Sequence, residues 1–381
     1  MTQLKIIMLN YEFPPIGGGA GKAQYNILKE LSNFKNLKID VLTSGLNKGF
    51  TEEQFADNIK ICKVGIRKKN LHYWKRTEVL KWLFKANSHH KRLVRENNYD
   101  IAHAFFGFPT ALLCCLKAKK LPYIISLRGS DVPGSNPRLK LDYKIMSPLF
   151  KLIWKNSSQL IACSKGLKQR ALKFFPEANI DVIPNGVNTS EFKPPLKKPK
   201  RDDPRLLTVG RLSSGKRVDV LIRAFEMVLK EFKTARLTIA GDGNLMAELK
   251  WLPVQLGISD KVGFAGIVPG SQMPEFYQQS DIFISASLQE GMSNAMLEAM
   301  ACGLPIITTR CEGTEELIKD NGIIIDDSDF EKFAKEIIQL LNHRKKYEQM
   351  SKAARNQAAL FSWRTVAEQY IEYYEKIANK S

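Results

Sequence analysis

Short runs of apolar and β-branched residues alternate with longer amphipathic segments along the whole chain. In the first half, LKIIML (4–9), IDVLT (39–43), DIAHAFF (100–106), PYIISL (122–127), QLIAC (159–163) and IDVIP (180–184) read as strands. Helical stretches near 22–32, 75–96, 138–155 and 165–174 separate them. Strands resume with RLLTVG (205–210), RLTIAG (236–241), KVGFAG (261–266), DIFISAS (281–287) and LPIITT (304–309), and helices are expected over 328–342 and 344–360. Such alternation predicts an α/β architecture of parallel sheets covered by helices. Between the two sets, PNGVN (184–188) and the proline-rich, charged KPPLKKPKRDDP combine turn residues, and they read as an interdomain linker between a first domain over 1–188 and a second over 189–362. In the tail, Trp363, Val366, Ala367, Tyr370, Tyr373, Tyr374 and Ile377 recur at a helical period, so this helix must pack on something.

Composition narrows the class. The 381 residues are enough for two domains of ordinary size, each with its own core, and 44% hydrophobic with 25% charged residues is the balance of a soluble globular protein. No run of eighteen apolar residues occurs, and MTQLKIIMLNYEFPP lacks the longer apolar stretch of a secretory signal. Cys62, Cys114, Cys115, Cys163, Cys302 and Cys311 show no CxxC spacing, which suggests neither a zinc site nor a disulfide framework, and a reducing cytosol is expected.

Charge changes the picture more. Residues 1–190 carry 31 lysines and arginines against 13 acids, whereas the remainder is nearly balanced at 27 against 26, so the net +19 belongs almost wholly to the first domain. Between 60 and 95 stand Lys60, Lys63, Arg67, Lys68, Lys69, Lys75, Arg76, Lys81, Lys85, Lys91, Arg92 and Arg95, with Glu78 the single acid. Tyr73, Trp74, Trp82 and Phe84 are interleaved with them. This pattern suits the interface of an anionic bilayer, and it equally suits a solvated basic face with core aromatics. Nucleic acid is not expected, because no recognised nucleic-acid motif accompanies the charge.

Candidate chemistry gathers near the carboxyl ends of the second-domain strands. Glu290 and Glu298 in EGMSNAMLE are eight positions apart, which on a helix is about 80° around the axis and about 12 Å along it. Such a spacing is common on charged helix faces. Here the QEGMSN turn follows a predicted strand, where parallel sheets bind ligands and a following helix offers unpaired N–H groups to an anion. Arg211 and Lys216 flank the glycines of GRLSSGK after another predicted strand, either as two cations brought towards one point or as a solvated loop. In FPPIGGGAGKAQ, Gly17, Gly18 and Gly19 let the backbone approach a phosphate or sugar, or simply make a tight turn.

VGRLSSGKRVDVLIRAF, IAGDG, FAGIVP, YQQSDIFISASLQEGMSNAMLEAMACGLPIITT and the hinge-like VIPNGVNTSEF, in this order, resemble family 4 of the retaining, nucleotide-sugar-dependent glycosyltransferases. The likeness spans essentially the whole chain and is closest from about 183 to 317. It implies a GT-B fold: two Rossmann-like, doubly wound parallel-sheet domains facing a central cleft, with a final helix (363–381) that crosses back to the first. The first domain would hold the acceptor and the second the nucleotide sugar.

By this resemblance Arg211 and Lys216 meet the donor diphosphate, in place of a metal, and stabilise the negative charge it gains as its bond to the sugar breaks. Glu290 contacts the transferred sugar, Glu298 the ribose hydroxyls, and Met292, Ser293 and Asn294 supply backbone N–H groups. Gly18 and Gly19 match the family's amino-terminal glycine pair, and Lys22 is a candidate for a donor or acceptor phosphate. Glu316 in CEGTEEL matches a family glutamate or is a helix-start acid. In LRGSDVPG, Arg128 stands where the family has histidine, with Asp131 after it. Arginine cannot act as a base near neutral pH, so both are substrate-binding candidates. His103 is a further candidate or a structural residue.

The resulting expectation is a cytoplasmic enzyme, peripheral to the inner face of the cell membrane, without cofactor or metal. It would transfer a sugar from a UDP- or GDP-linked donor to an anionic, lipid-linked saccharide in surface-polysaccharide assembly. A small soluble acceptor is the rival within enzymes, and a non-catalytic sugar- or lipid-binding relative the rival outside them.

Overall fold

The computed structural model describes residues 3–68, 70–71, 73–134, 140–196 and 203–379. Lys69, the 197–202 part of the expected linker and positions 138–139 of the expected third helix lie outside the described residues. The chain divides into two compact units, Met1–Asn185 with Trp363–Ser381, and Gly186–Ser362.

Unit 1 is built on β1 (Leu4–Asn10), β2 (Leu37–Gly45), β3 (Lys48–Ala56), β4 (Ile59–Ile66), β5 (Ile101–Phe105), β6 (Tyr123–Leu127), β7 (Gln159–Ala162) and β8 (Ile180–Val182), in the order β3-β4-β2-β1-β5-β6-β7-β8. All pairings are parallel except β3 on β4. The helices are α1 (Gly19–Leu31), α2 (Arg76–Glu96), α3 (Thr110–Cys115), α4 (Lys140–Lys155) and α5 (Lys165–Phe174). Unit 2 has β9 (Arg205–Val209), β10 (Arg236–Ala240), β11 (Val262–Gly266), β12 (Ile282–Ser285), β13 (Ile306–Thr309) and β14 (Gly322–Ile325), all parallel in the order β11-β10-β9-β12-β13-β14. Its helices are α6 (Val218–Glu231), α7 (Met246–Gln255), α8 (Met273–Gln278), α9 (Asn294–Ala301), α10 (Thr314–Leu317), α11 (Phe330–Asn342) and α12 (Arg344–Ala359). In each sheet the order reverses once, at β1/β5 and at β9/β12, the place where open parallel sheets bind ligands.

The last helix, α13 (Trp363–Ala378), belongs to unit 1. Its period places Trp363, Val366, Ala367, Tyr370 and Tyr374 in one core cluster with Ile27, Leu28 and Leu31 of α1. Tyr370 and Tyr374 are fully buried. At roughly 1.5–3 kcal/mol for each large apolar side chain buried, this stripe contributes substantially to the stability of unit 1.

Three strands, β3, β4 and β14, are not among those expected from the sequence. β3 (KGFTEEQFA) is polar and largely exposed, an antiparallel edge strand held by its backbone ladder to β4. Charged side chains on such an edge discourage further strand pairing. β4 is a largely buried strand whose Lys60 and Lys63 face Glu52 (3.2 Å) and Glu53 (2.5 Å) on β3. The basic stretch 60–95 is therefore not one face. Trp82 lies in the core, and Lys68 is buried against Glu78 at 2.7 Å and over the Trp74 ring at 4.2 Å. Of the four interleaved aromatics, Tyr73 (56%) and Phe84 (83%) are the exposed ones.

The buried stripe of α2 runs Trp82, Ala86, His90 and Leu93. Burial, and secondarily Lys117, push the His90 imidazole down to about 4, and neither ring nitrogen has a hydrogen-bond partner. Because the folded value is depressed, the unfolded chain takes up this proton first as pH falls below about 6.5, and stability is lost between there and about 4. Urea unfolding should show about 2 kcal/mol of destabilisation from this residue at pH 5 relative to pH 8. His90→Leu is expected to flatten that slope without loss of stability at pH 8; an unchanged slope would assign the acid sensitivity elsewhere.

Candidate active site

The β9–α6 loop (210–217) and the β12–α9 loop (286–293) leave neighbouring strands at the reversal point of the second sheet. They are tied by a hydrogen bond from Leu288 N–H to Gly215 O at 2.9 Å. The β10–α7 loop supports the first of them from the other side: Leu212 N–H donates to Asp242 O at 3.0 Å and Leu245 N–H to Leu212 O at 3.1 Å. Gly241, at φ +135, permits this approach, since a Cβ there would stand 1.9 Å from Gly210 O. A pocket opens at the same place, lined by Gly210, Leu212, Lys216, Ser285 and Ser287 among others.

Lys216, which lines this pocket, and Glu290, from the other loop, are paired, Lys216 Nζ donating to Glu290 Oε1. Ser287 Oγ donates to the same oxygen at 3.0 Å. Thr309 Oγ1 fixes the loop by donating to Ser287 O at 2.6 Å, and the Glu290 N–H points at Glu312 Oε2 at 3.4 Å. Arg211 is exposed and joins no ion pair among the described residues. Ser293 caps α9, its hydroxyl accepting from Met296 N–H at 3.3 Å, and Asn294 opens the helix directly after the loop that carries Glu290. The structure brings Lys216 and Glu290 together near a helix start, whereas Arg211 makes no contact with either.

Glu290 and Glu298 do not share a helix: α9 begins at Asn294, so Glu290 lies in the preceding loop and only Glu298 is helical. Glu298 is buried and accepts from Tyr277 OH at 2.9 Å. Burial, then the Glu298 charge, push the Tyr277 phenol well above its ordinary value, so it remains the donor. Met292 is buried beneath the turn. Glu316 lies in the short α10, its carbonyl accepting from Gln357 Nε2 at 3.0 Å.

In unit 1 the glycine turn follows β1, with Gly17 at φ +99 and Gly18 preceding α1. The Gly18 N–H donates to Glu12 Oε2 at 3.1 Å, so a buried carboxylate from the preceding loop satisfies it. Lys22 lies in the first turn of α1, half-buried. Arg128 follows β6; its guanidinium donates to Asn185 Oδ1 at 2.6 Å and stands 5.7 Å from the Phe105 ring, with Nε unpartnered. Asp131, expected at a substrate, instead accepts from the backbone N–H groups of Gly107 (2.6 Å), Arg128 (2.9 Å) and Gly129 (2.9 Å). It joins the loops after β5 and β6, and burial raises its pKa against those bonds.

Of the two readings offered for His103, substrate contact or structural residue, its surroundings match the structural one. Its ring is fully buried, with Nδ1 2.7 Å from Tyr374 OH and Nε2 2.7 Å from Ser126 Oγ. Burial, then Arg128, depress it to about 3, and the neutral ring serves as a polar joint between the sheet and α13. Sequence reasoning missed Tyr277, Ser287, Glu312 and Glu12 as partners of the candidate groups. Each is remote from its partner's motif or too ordinary in type to signal a role.

Comparison with known proteins bears on the whole chain. Residues 189–357 match the family described as glycosyl transferases group 1, and residues 17–191 match glycosyltransferase family 4. An uncharacterized glycosyltransferase of Methanocaldococcus jannaschii is 28% identical over 98% of both chains. The GDP-mannose-dependent alpha-(1-6)-phosphatidylinositol monomannoside mannosyltransferase of Mycolicibacterium smegmatis is 28% identical, over 72% of this chain and 76% of its own. Among solved structures, sucrose-phosphate synthase from Thermosynechococcus elongatus superposes with a TM-score of 0.83 at 18% identity, over 99% of this chain and 100% of its own, which establishes the same two-domain GT-B fold.

Tyr277→Phe removes the hydroxyl beneath Glu298 and leaves a buried carboxylate one donor short. Chemical denaturation at neutral pH should show a loss of about 1–3 kcal/mol. An unchanged midpoint would mean that this hydroxyl does not support the carboxylate.

Proposed function

Because the chain belongs to the family 4, group 1 glycosyltransferases, we propose that unit 2 binds a nucleoside diphosphate sugar, UDP- or GDP-linked, and that its sugar passes with retention to an anionic, lipid-linked saccharide held by unit 1. The observation that carries this reading is the meeting of Lys216 and Glu290 beside the start of α9.

The diphosphate gains negative charge as its bond to the anomeric carbon breaks. Lys216 and Arg211, with the first N–H groups of α9, stabilise that charge where it develops, which acts on the transition state more than on the bound donor. With two cations at the diphosphate no divalent metal is needed. Glu290 turns towards the sugar hydroxyls as Lys216 moves onto the phosphate, and Glu298, held by Tyr277, accepts from the ribose hydroxyls. The acceptor oxygen attacks the anomeric carbon on the face that the diphosphate leaves, and the departing phosphate takes the acceptor's proton. Arg128 is a substrate-binding candidate on unit 1.

A membrane-borne acceptor is supported by the charge of unit 1 and by its surface. Leu80 and Phe84 on α2 and Leu141 and Ile145 on α4 are exposed, and Arg76 and Asp142 join these two helices at 2.6 Å. The mycobacterial relative is named for a phosphatidylinositol-linked acceptor. Among the described residues no helix is long and apolar enough to cross a membrane, so association would be peripheral.

Release of nucleoside diphosphate from a panel of UDP- and GDP-sugars tests the donor half. Lys216→Ala should lower kcat by about 10²–10³-fold. Glu298→Ala should weaken donor binding by about 1.5–3 kcal/mol. Wild-type rates in both variants would sink the assignment, and abolition of turnover by a chelator would overturn the metal-free reading. Flotation with anionic vesicles tests the acceptor half: binding should be present at low salt and fall as salt rises. A protein that stays off such vesicles at every ionic strength would favour a soluble acceptor.

A further inference from the structure

A cationic concavity in unit 1 takes no part in the site described above. It is an open hollow of about 370 Å³ lined by Lys48, Gly49, Arg67, Lys81 and Lys85. At about 30 Å³ per water molecule, that is room for a phosphate or diphosphate with its hydration.

The β3–β4 hairpin and α2 build it. Lys48 stands opposite Ile66 in the antiparallel ladder, and Arg67 follows β4 directly. Arg67 has φ 59, a left-handed conformation that side chains seldom adopt. Lys81 and Lys85 lie one turn apart on α2, and their ammonium groups donate to Ile66 O and Gly65 O, both at 2.9 Å. These carbonyls hold two ammoniums at the carboxyl end of β4, and an ammonium with three protons keeps donors for a further acceptor. Among the described residues no carboxylate pairs with any of the four cations. Glu78, on the same helix, is engaged by Lys68 Nζ at 2.7 Å and by Lys75 N–H at 2.9 Å. Four like charges gathered in this way repel one another until an anion arrives, and a backbone strained at Arg67 helps to hold them there.

We propose that this hollow binds a phosphoryl group. Leu80 and Phe84 immediately precede Lys81 and Lys85 on α2 and are exposed, so a phosphate seated here has an apolar ridge beside it. That placement fits the phosphate of a lipid headgroup or of a lipid-linked acceptor. It rests on the acceptor reading above only for what the phosphate belongs to.

The test uses the full chain and two probes, inorganic pyrophosphate by titration calorimetry and co-sedimentation with phosphatidylcholine vesicles with and without phosphatidylglycerol. Arg67→Gly and Lys48→Glu should each weaken binding about tenfold, the loss expected for a charge-assisted hydrogen bond. Lys335→Glu, an exposed charge reversal in unit 2, should not. Loss in the vesicle arm alone assigns the site to a lipid headgroup, and loss in both arms to the phosphoryl group whatever carries it. Arg67→Gly relieves a left-handed side-chain position, so its melting temperature should match or exceed that of the wild type, which separates lost binding from unfolding. No wild-type binding in either arm, or equal losses with Lys335→Glu, would overturn the proposal. Neither probe involves a sugar donor or turnover, so a failure of the glycosyl-transfer reading leaves this result standing, and the reverse.

Discussion

The second unit depends on one constraint, the reversal of strand order between β9 and β12. The β9–α6 and β12–α9 loops leave neighbouring strands on the two sides of that point and meet across it. They do so through Leu288 and Gly215, and the same convergence brings Lys216 to Glu290 although 74 positions separate them. An ion pair in a half-buried pocket has modest value for stability, because desolvation offsets much of the attraction. In the function proposed above its chemical value is larger, since the carboxylate would meet the hydroxyls and the ammonium the diphosphate of the donor.

Unit 1 meets the corresponding problem differently. Its interior holds a polar chain, His103 between Tyr374 and Ser126, with Ser126 Oγ 2.8 Å from Tyr370 OH. These groups are satisfied only when α13 is docked, so the last helix is bound to the first unit by directional bonds as well as by apolar area. A buried network of this sort is costly when partly satisfied, which gives the tail one seating. Asp131 and Glu12 play similar parts for the loops around them, each a buried carboxylate that orders backbone N–H groups.

The distribution of cations follows the same logic of local pairing. In β4, Lys60 and Lys63 are matched by acids on the neighbouring strand, and Lys68 is enclosed by Glu78 and Trp74. Charge left without such partners collects at the hairpin end and beside the exposed apolar residues of α2. The basic character of the first 190 residues therefore acts through particular places rather than as a uniform field.

The amino-acid sequence by itself determined the alternation of strands and helices, the division near 185–188 and the helical tail, because buried parallel strands and amphipathic helices write their periods locally. It also marked Arg211, Lys216, Glu290 and Glu298, whose motifs sit at predicted strand ends. β3 was illegible, since an edge strand held by backbone bonds needs no apolar pattern. Only the tertiary structure decided that Tyr277 supports Glu298, that Glu290 lies before α9 rather than on it, and that His103 and Asp131 are interior joints. Spacing along a chain cannot distinguish a strand-end histidine facing solvent from one closed over by a helix 271 positions later. Burial and hydrogen-bond partners are set by which distant elements meet, and that is a property of the fold.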